Sequence, residues 1–143
     1  MEIRLARKED LDWINHQYKS VGFVPSNLTQ DQVAIITYNG KQAGLGRLVH
    51  IDERTIEMGG IYILPTYRGH QLAGKLVSFL VRTAKESEVP HVYCIPFEEL
   101  GSFYKKYGFQ DIDIEKEDVH PTIIAKYKWC LQKYDKHVLL FKL

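Results

Sequence analysis

The chain has 143 residues, 45% of them apolar and 26% charged, enough for one domain whose core buries roughly 70% of the unfolded surface and too few for two. Lys plus Arg number 19 against 18 Asp plus Glu, and the resulting net charge of +1 gives no sequence-independent attraction to a polyanion. No apolar run approaches the roughly 18 residues of a membrane span, and Met1-Glu2-Ile3-Arg4 opens no secretory or transit segment. The expectation is a soluble, cytoplasmic, single-domain protein over residues 1–143, with no nucleic-acid or membrane partner.

Ile3 and Leu5 alternate with charged neighbours, which predicts a short half-buried strand before the charged helix start at Lys8-Glu9-Asp10. Leu11, Ile14, Tyr18 and Val21 then recur at helical spacing. Pro25-Ser26-Asn27 marks a loop or short second helix, and the β-branched run Val33–Tyr38 predicts a strand. Asn39-Gly40 follows at once. A type I′ turn needs positive φ at both central residues, so Val33–Tyr38 is expected to pair antiparallel with Ala43–Ile51. A turn at Asp52-Glu53-Arg54 leads to a third strand of the same meander, Thr55–Leu64, which Pro65 stops.

From Gln71 to Glu86 the apolar positions Leu72, Leu76, Phe79, Leu80 and Ala84 keep the 3.6-residue period of an amphipathic helix. His91–Ile95 reads as a buried strand, and Glu98–Tyr107 as a helix through Leu100, Phe103 and Tyr104 that Gly108 closes at C′. Phe109–Ile114 predicts a strand, followed by acidic Glu115-Lys116-Glu117-Asp118. Pro121 opens a last helix in which Ile123, Ile124, Tyr127, Leu131 and Tyr134 share a face, and His137–Leu143 ends the chain as a strand. This order predicts an α/β (α+β) fold: a mixed, mostly antiparallel sheet of about seven strands with helices on both faces.

The stretch from Tyr62 to Leu76 carries the chemistry. A strand runs through a Gly-containing turn directly into a long helix, so unpaired backbone N–H groups and the positive end of the helix dipole point the same way. That geometry binds anions, with Gly69 and Gly74 allowing close approach of phosphates and Arg68 and Lys75 adding charge at the rim. Gly69–Lys75 also satisfies the first seven positions of a nucleotide-binding P-loop, but Leu76 stands where Ser or Thr must hold Mg²⁺.

These residues resemble the GNAT superfamily of N-acetyltransferases. The family's acyl-CoA loop has Arg or Gln, two residues, Gly, one residue, then Gly or Ala; here Arg68, Gln71 and Ala73 take those places, Gln71 departing from Gly. Pro65-Thr66-Tyr67-Arg68-Gly69 is similar to the family's strand-to-loop junction, and Phe103-Tyr104-Lys105-Lys106-Tyr107-Gly108-Phe109 to its second signature, a helix ending in Gly-Phe. The resemblance covers residues 3 to 143 in element order. It implies an acyltransferase that moves an acetyl group from acetyl-CoA to a primary amine, on a small molecule or a peptide N-terminus, by direct attack on the thioester. It further implies that the fourth and fifth strands splay to admit pantetheine. By position it makes Glu57 the base that takes the amine proton and Tyr104 the acid that protonates the CoA sulfur. Ile61 and Ile63 would meet pantetheine, with the Ile63 N–H polarising the carbonyl, and Arg68, Gly69, His70, Gln71, Ala73, Gly74 and Lys75 would hold the pyrophosphate.

Plainer roles compete for the same side chains. Glu57 also reads as a solvent-facing strand residue paired with Arg54 or Arg47, Tyr104 as a core or rim aromatic, and the loop as an ordinary turn. The alternative function is a catalytically idle acyl-CoA binding or sensor domain. Phe97 stands near where the family often has an Asn that contacts CoA. The six histidines show no ligand spacing and Cys94 and Cys130 form no Cys-x-x-Cys, so no metal is expected. Cys94 falls in a buried-strand pattern. Acceptor contacts are expected from Trp13 to Thr29 and from Asp111 to Tyr134, where the acidic residues either attract a cationic amine or form a solvated surface. The helix after Pro121 either caps the acceptor site or packs across a homodimer.

Overall fold

The structure, a computed structural model, describes all residues from Met1 to Leu143. β1 (Glu2–Leu5) is followed by a 3-10 turn and α1 (Leu11–Ser20), then by β2 (Asp31–Tyr38), β3 (Lys41–Asp52) and β4 (Thr55–Ile63). α2 (Leu72–Glu86), β5 (His91–Cys94), α3 (Gly101–Lys105), β6 (Gln110–Asp111), α4 (Pro121–Lys133) and β7 (Phe141–Lys142) complete the chain. The strands form one seven-stranded sheet in the order β1-β2-β3-β4-β5-β7-β6. Only β4 and β5 run parallel, and the other neighbours are antiparallel. The expected mixed, mostly antiparallel architecture is the one observed.

The hairpin forms as the Asn-Gly pair predicts. Asn39 and Gly40 have φ of 52° and 77°, and Tyr38 pairs with Lys41. Alternation along the central strands divides the core between two faces. Ala34, Ile36, Leu48, Ile56 and Met58 pack against Leu72, Leu76, Val77 and Leu80 of α2, with Tyr104 of α3 in the same cluster. On the opposite face Val33, Ile35 and Leu45 meet Ile14 and Tyr18 of α1, while Tyr93 and Leu140 meet Ile123 of α4.

The late elements are shorter than the sequence predicts. The strand expected over 137–143 keeps regular pairing only at Phe141 and Lys142, preceded by an isolated bridge between Val138 and Phe97. Pro96, opposite this segment, accepts from Leu139 N (2.8 Å) but has no N–H to return, so the ladder breaks there. The strand expected over 109–114 ends at Asp111, because the Asp113 side chain accepts from Glu115 N (2.9 Å) and turns the chain outward. The helix expected over 98–107 is a 3-10 turn at Glu98–Leu100 followed by α3, and Gly108 closes it at φ 101°. On α4 it is Cys130, not Leu131, that joins Ile123 on the buried face; Leu131 is 37% exposed.

Candidate functional site

β4 and β5 pair from Thr55–His91 to Met58–Cys94 and then part, because β5 ends at Cys94 while β4 continues to Ile63. A bulge marks the parting. Leu45 pairs with Tyr62 and Arg47 with Gly59, which leaves Gly60 and Ile61 opposite Gly46 alone. Gly60 has φ 61°, and a Cβ there would stand 2.7 Å from the Tyr18 hydroxyl, which donates to the Gly60 carbonyl at 2.9 Å. Beyond the bulge Leu64 N donates toward β3, to Ala43 O at 2.9 Å. Alternation therefore turns the amides of Ile61 and Ile63 to the opposite, unpaired edge.

The loop after β4 is held back against the strand. Arg68 Nε donates to Ile63 O at 3.0 Å, and the His70 ring stacks on Tyr38 with centroids 4.5 Å apart. Arg68 thus braces the strand end through Nε while its side chain stays exposed. Gly69 has φ 91° and Gln71 φ 60°, so the position where Gln replaces the usual Gly is left-handed. The amides of Gly69, His70 and Gln71 and those of the first turn of α2 (Leu72, Ala73, Gly74) donate to no protein acceptor, and no side chain caps the helix. Gly74 has a second reason to lack a side chain: the Tyr107 hydroxyl fills the space a Cβ would take. Beside this helix end a surface groove of about 630 Å³ is lined by Gln71, Gly74, Lys75, Arg82, Lys106 and Tyr107. Unpaired amides beside a basic groove, at the end of a strand with an open edge, suit an extended, phosphate-bearing ligand.

Glu57 and Tyr104 lie on opposite faces of the sheet. Glu57 alternates with Ile56 and Met58, which face α2, so its side chain points the other way, toward α4. It is 4% exposed, not solvent-facing, and its partner is neither Arg54 nor Arg47: Oε1 accepts from Lys126 of α4. Tyr104 is 6% exposed, with its ring edge-on to Phe103 and Phe109 and its hydroxyl bonded to no protein group. Burial pushes its phenol far above the ordinary value, so it stays protonated. Cys94 is a buried free thiol, which burial also pushes well up, with the Glu57 charge acting in the same direction.

Under α4 lies a cavity of about 110 Å³ whose walls include Arg47, Glu57, Gly59, Lys126, Trp129 and Tyr134. The helix after Pro121 lines this cavity through Lys126, Trp129 and Cys130. Arg47 is not among the predicted site residues, and Lys126 falls only within the broad acceptor span from Asp111 to Tyr134. The available signal for Lys126 was a lysine at helical spacing from Ile123 and Cys130, on a face that is otherwise apolar. The acidic residues from Asp111 to Asp118 are exposed and absent from this cavity. No group of three or more His, Cys, Asp or Glu side chains converges where a metal ion could sit, and no helix is long and apolar enough to cross a membrane.

Solved structures share this fold. N-acetylglutamate synthase from Neisseria gonorrhoeae, complexed with coenzyme A and L-arginine, aligns with 97% of this chain at a TM-score of 0.72 and 14% identity; the chain spans 32% of that protein's length. Rv2747 from Mycobacterium tuberculosis, in complex with CoA and NLQ, has a TM-score of 0.72 and 18% identity over 100% of this chain and 99% of its own. A GNAT family acetyltransferase from Elizabethkingia anophelis with acetyl-CoA bound has a TM-score of 0.66 and 16% identity, over 99% of this chain and 96% of its own. No curated protein sequence matches the chain. The acetyltransferase (GNAT) domain family matches residues 29–111, more than half of the sequence and the whole run from the hairpin to β6, and the chain belongs to that family.

Proposed function

We propose that this protein transfers an acetyl group from acetyl-CoA to a primary amine by direct attack, with Glu57 as proton acceptor and Tyr104 as proton donor, within one unit spanning residues 1–143. The observation that carries the reading is the parting of β4 from β5 beyond Met58 and Cys94, with a buried carboxylate on one face and a buried, protonated phenol on the other. An acyl transfer needs a proton taken from the nucleophile on one side of the carbonyl and one given to the leaving group on the other.

Acetyl-CoA, when bound, supplies a thioester whose carbonyl carbon is the electrophile. The amides of Gly69 to Gly74 suit its pyrophosphate, with Lys75 contributing charge. Ile61 and Ile63 offer their edge amides to pantetheine, and the Ile63 N–H polarises the thioester carbonyl, a reading supported by Leu64 donating to the opposite strand. Glu57 takes the amine proton. Tyr104 gives its proton to the departing sulfur, a role its burial supports by keeping the hydroxyl protonated. The two free thiols, Cys94 and Cys130, fit the reducing cytoplasm to which we assign the protein.

The test is the thermal unfolding midpoint with acetyl-CoA, CoA and ATP, followed by thiol release with a panel of amines. Each CoA species at about 100 times its Kd is expected to add about 2.7 kcal/mol, several degrees for this size, and ATP far less. No rise with either CoA species overturns the reading. A rise without turnover of any amine leaves an acyl-CoA binding domain.

A further inference from the structure

The cavity under α4 holds two buried charges of opposite sign that do not meet. Arg47 pairs with Gly59 and Glu57 with Val49, so the two are diagonal neighbours on one face of adjacent strands. Arg47 is 7% exposed and Glu57 4%, yet no ion pair joins them; their nearest charged partners are Asp31 and Lys126. Burying charge without full pairing is costly, which makes a standing gap between the two informative.

Each group is anchored from behind and free toward the cavity. The Arg47 guanidinium carbon lies 4.3 Å over the Tyr18 ring, and Nη1 donates to Ser26 Oγ at 2.7 Å. Asn15 fixes Ser26 in turn, accepting from its N–H at 2.7 Å and donating to its carbonyl at 3.2 Å. Asp31 Oδ2 stands 4.0 Å from Nη1, beyond hydrogen-bond reach, and accepts from Asn27 N. Nε and Nη2 of Arg47 have no partner. On Glu57, Oε1 accepts from Lys126, whereas Oε2 accepts nothing and faces Gly59, where a Cβ would stand 2.9 Å from it. Burial raises the Tyr134 phenol pKa, with Arg47 lowering and Glu57 raising it in smaller measure, so both charges act on one hydroxyl of the cavity wall. Phe23, Val24, Ile95, Phe97, Trp129 and Val138 make the remaining wall largely apolar.

A carboxylate oxygen on one side and a guanidinium fork on the other complement a molecule that carries an ammonium and a carboxylate on neighbouring atoms. We propose that the acceptor is a free α-amino acid with an apolar side chain, its amine on Glu57 and its carboxylate on Arg47. This deepens the acetyl-transfer reading and rests on it. The bound ammonium gives one proton to Glu57 and becomes the neutral amine; its nitrogen bonds the acetyl carbon as the carbon–sulfur bond breaks, the sulfur takes the Tyr104 proton, and the second nitrogen proton returns through water to Tyr104. The N-acetyl product has no ammonium and so loses its hold on Glu57, which favours release.

Thiol release from acetyl-CoA is measured with L-leucine, L-leucinamide and 3-methylbutylamine, alongside acetyl-CoA binding. The amide's amine is less basic and more often neutral, so intrinsic reactivity favours the amide. A leucine preference of about tenfold or more in kcat/KM over both analogues is the expected result, and Arg47→Lys is expected to narrow that ratio. The ratio is internal to each protein, so partial unfolding of the variant does not produce it. Equal or faster turnover of either analogue, or an unchanged ratio in Arg47→Lys, overturns the inference while acetyl transfer stands. No turnover of leucine with acetyl-CoA bound also overturns it. Absence of acetyl-CoA binding overturns the underlying reading together with it.

Discussion

The Tyr107 hydroxyl stands in the space that a side chain at Gly74 would occupy. A tyrosine ring pivots as a rigid plate, so a methyl at position 74 displaces the whole ring from its edge-on contact with Phe103. Gly74→Ala is expected to destabilise by about 1 kcal/mol, the overpacking of this half-buried contact outweighing what alanine gains over glycine in a helix. Tyr107→Phe in the same chain removes the clashing oxygen and restores most of the loss, which a double-mutant cycle of thermal unfolding reads directly. Additive effects of the two substitutions would contradict this contact.

Gln71 sits at φ 60° and ψ 26°, where a side chain costs about 1 kcal/mol and glycine costs nothing. Gln71→Gly relieves the strain but loosens the unfolded chain, which offsets part of the gain. A rise of about 2 °C in the unfolding midpoint is expected. A fall would mean that the Gln71 side chain stabilises the loop in its own right.

Tyr104→Phe removes one oxygen and leaves the ring packing against Phe103 and Phe109 in place. It is expected to lower kcat by about a hundredfold while changing acetyl-CoA affinity little. Glu57→Gln keeps the shape and removes the base, with a similar loss of kcat. Single-turnover kinetics beside a direct CoA titration separates these outcomes from a general loss of binding.

Asp10 ties the first strand to the first helix. Its carboxylate takes Arg4 at 2.7 and 3.0 Å and the Arg7 amide at 2.7 Å, and the Arg4 hydrogen bond leads in lowering its pKa from 3.8 to about 2. A carboxyl depressed on folding stabilises fully above its unfolded value and loses that stabilisation as pH falls through its folded value. The midpoint difference between the wild type and Asp10→Asn is therefore expected to be constant from pH 7 to about 5 and to shrink between about pH 4 and 2. A constant difference across that range would show that Asp10 is not the titrating group.

Local signals fixed much of this fold. Asn39-Gly40 set the hairpin because few residues accept positive φ, and the period from Leu72 to Ala84 set α2 because one stripe must be buried. The candidate loop was legible for the same reason: strand, glycine and helix follow without a break. The late elements were less so, since Pro96 and Asp113 act on pairing through neighbours distant in sequence or through a side-chain turn.

The order of strands and helices, the fold class and the segment with unpaired amides are legible along the chain, because they follow from periodicity and turn chemistry over a few residues. Folding in three dimensions buries Glu57 against Lys126, sets Arg68 to brace Ile63, makes room at Gly74 for Tyr107, and brings Arg47 and Glu57 to one face of adjacent strands. Each of these relations joins groups through packing or strand register. A charged residue on a strand reads the same in sequence whether the face above it is water or a helix, and α4 settles which it is.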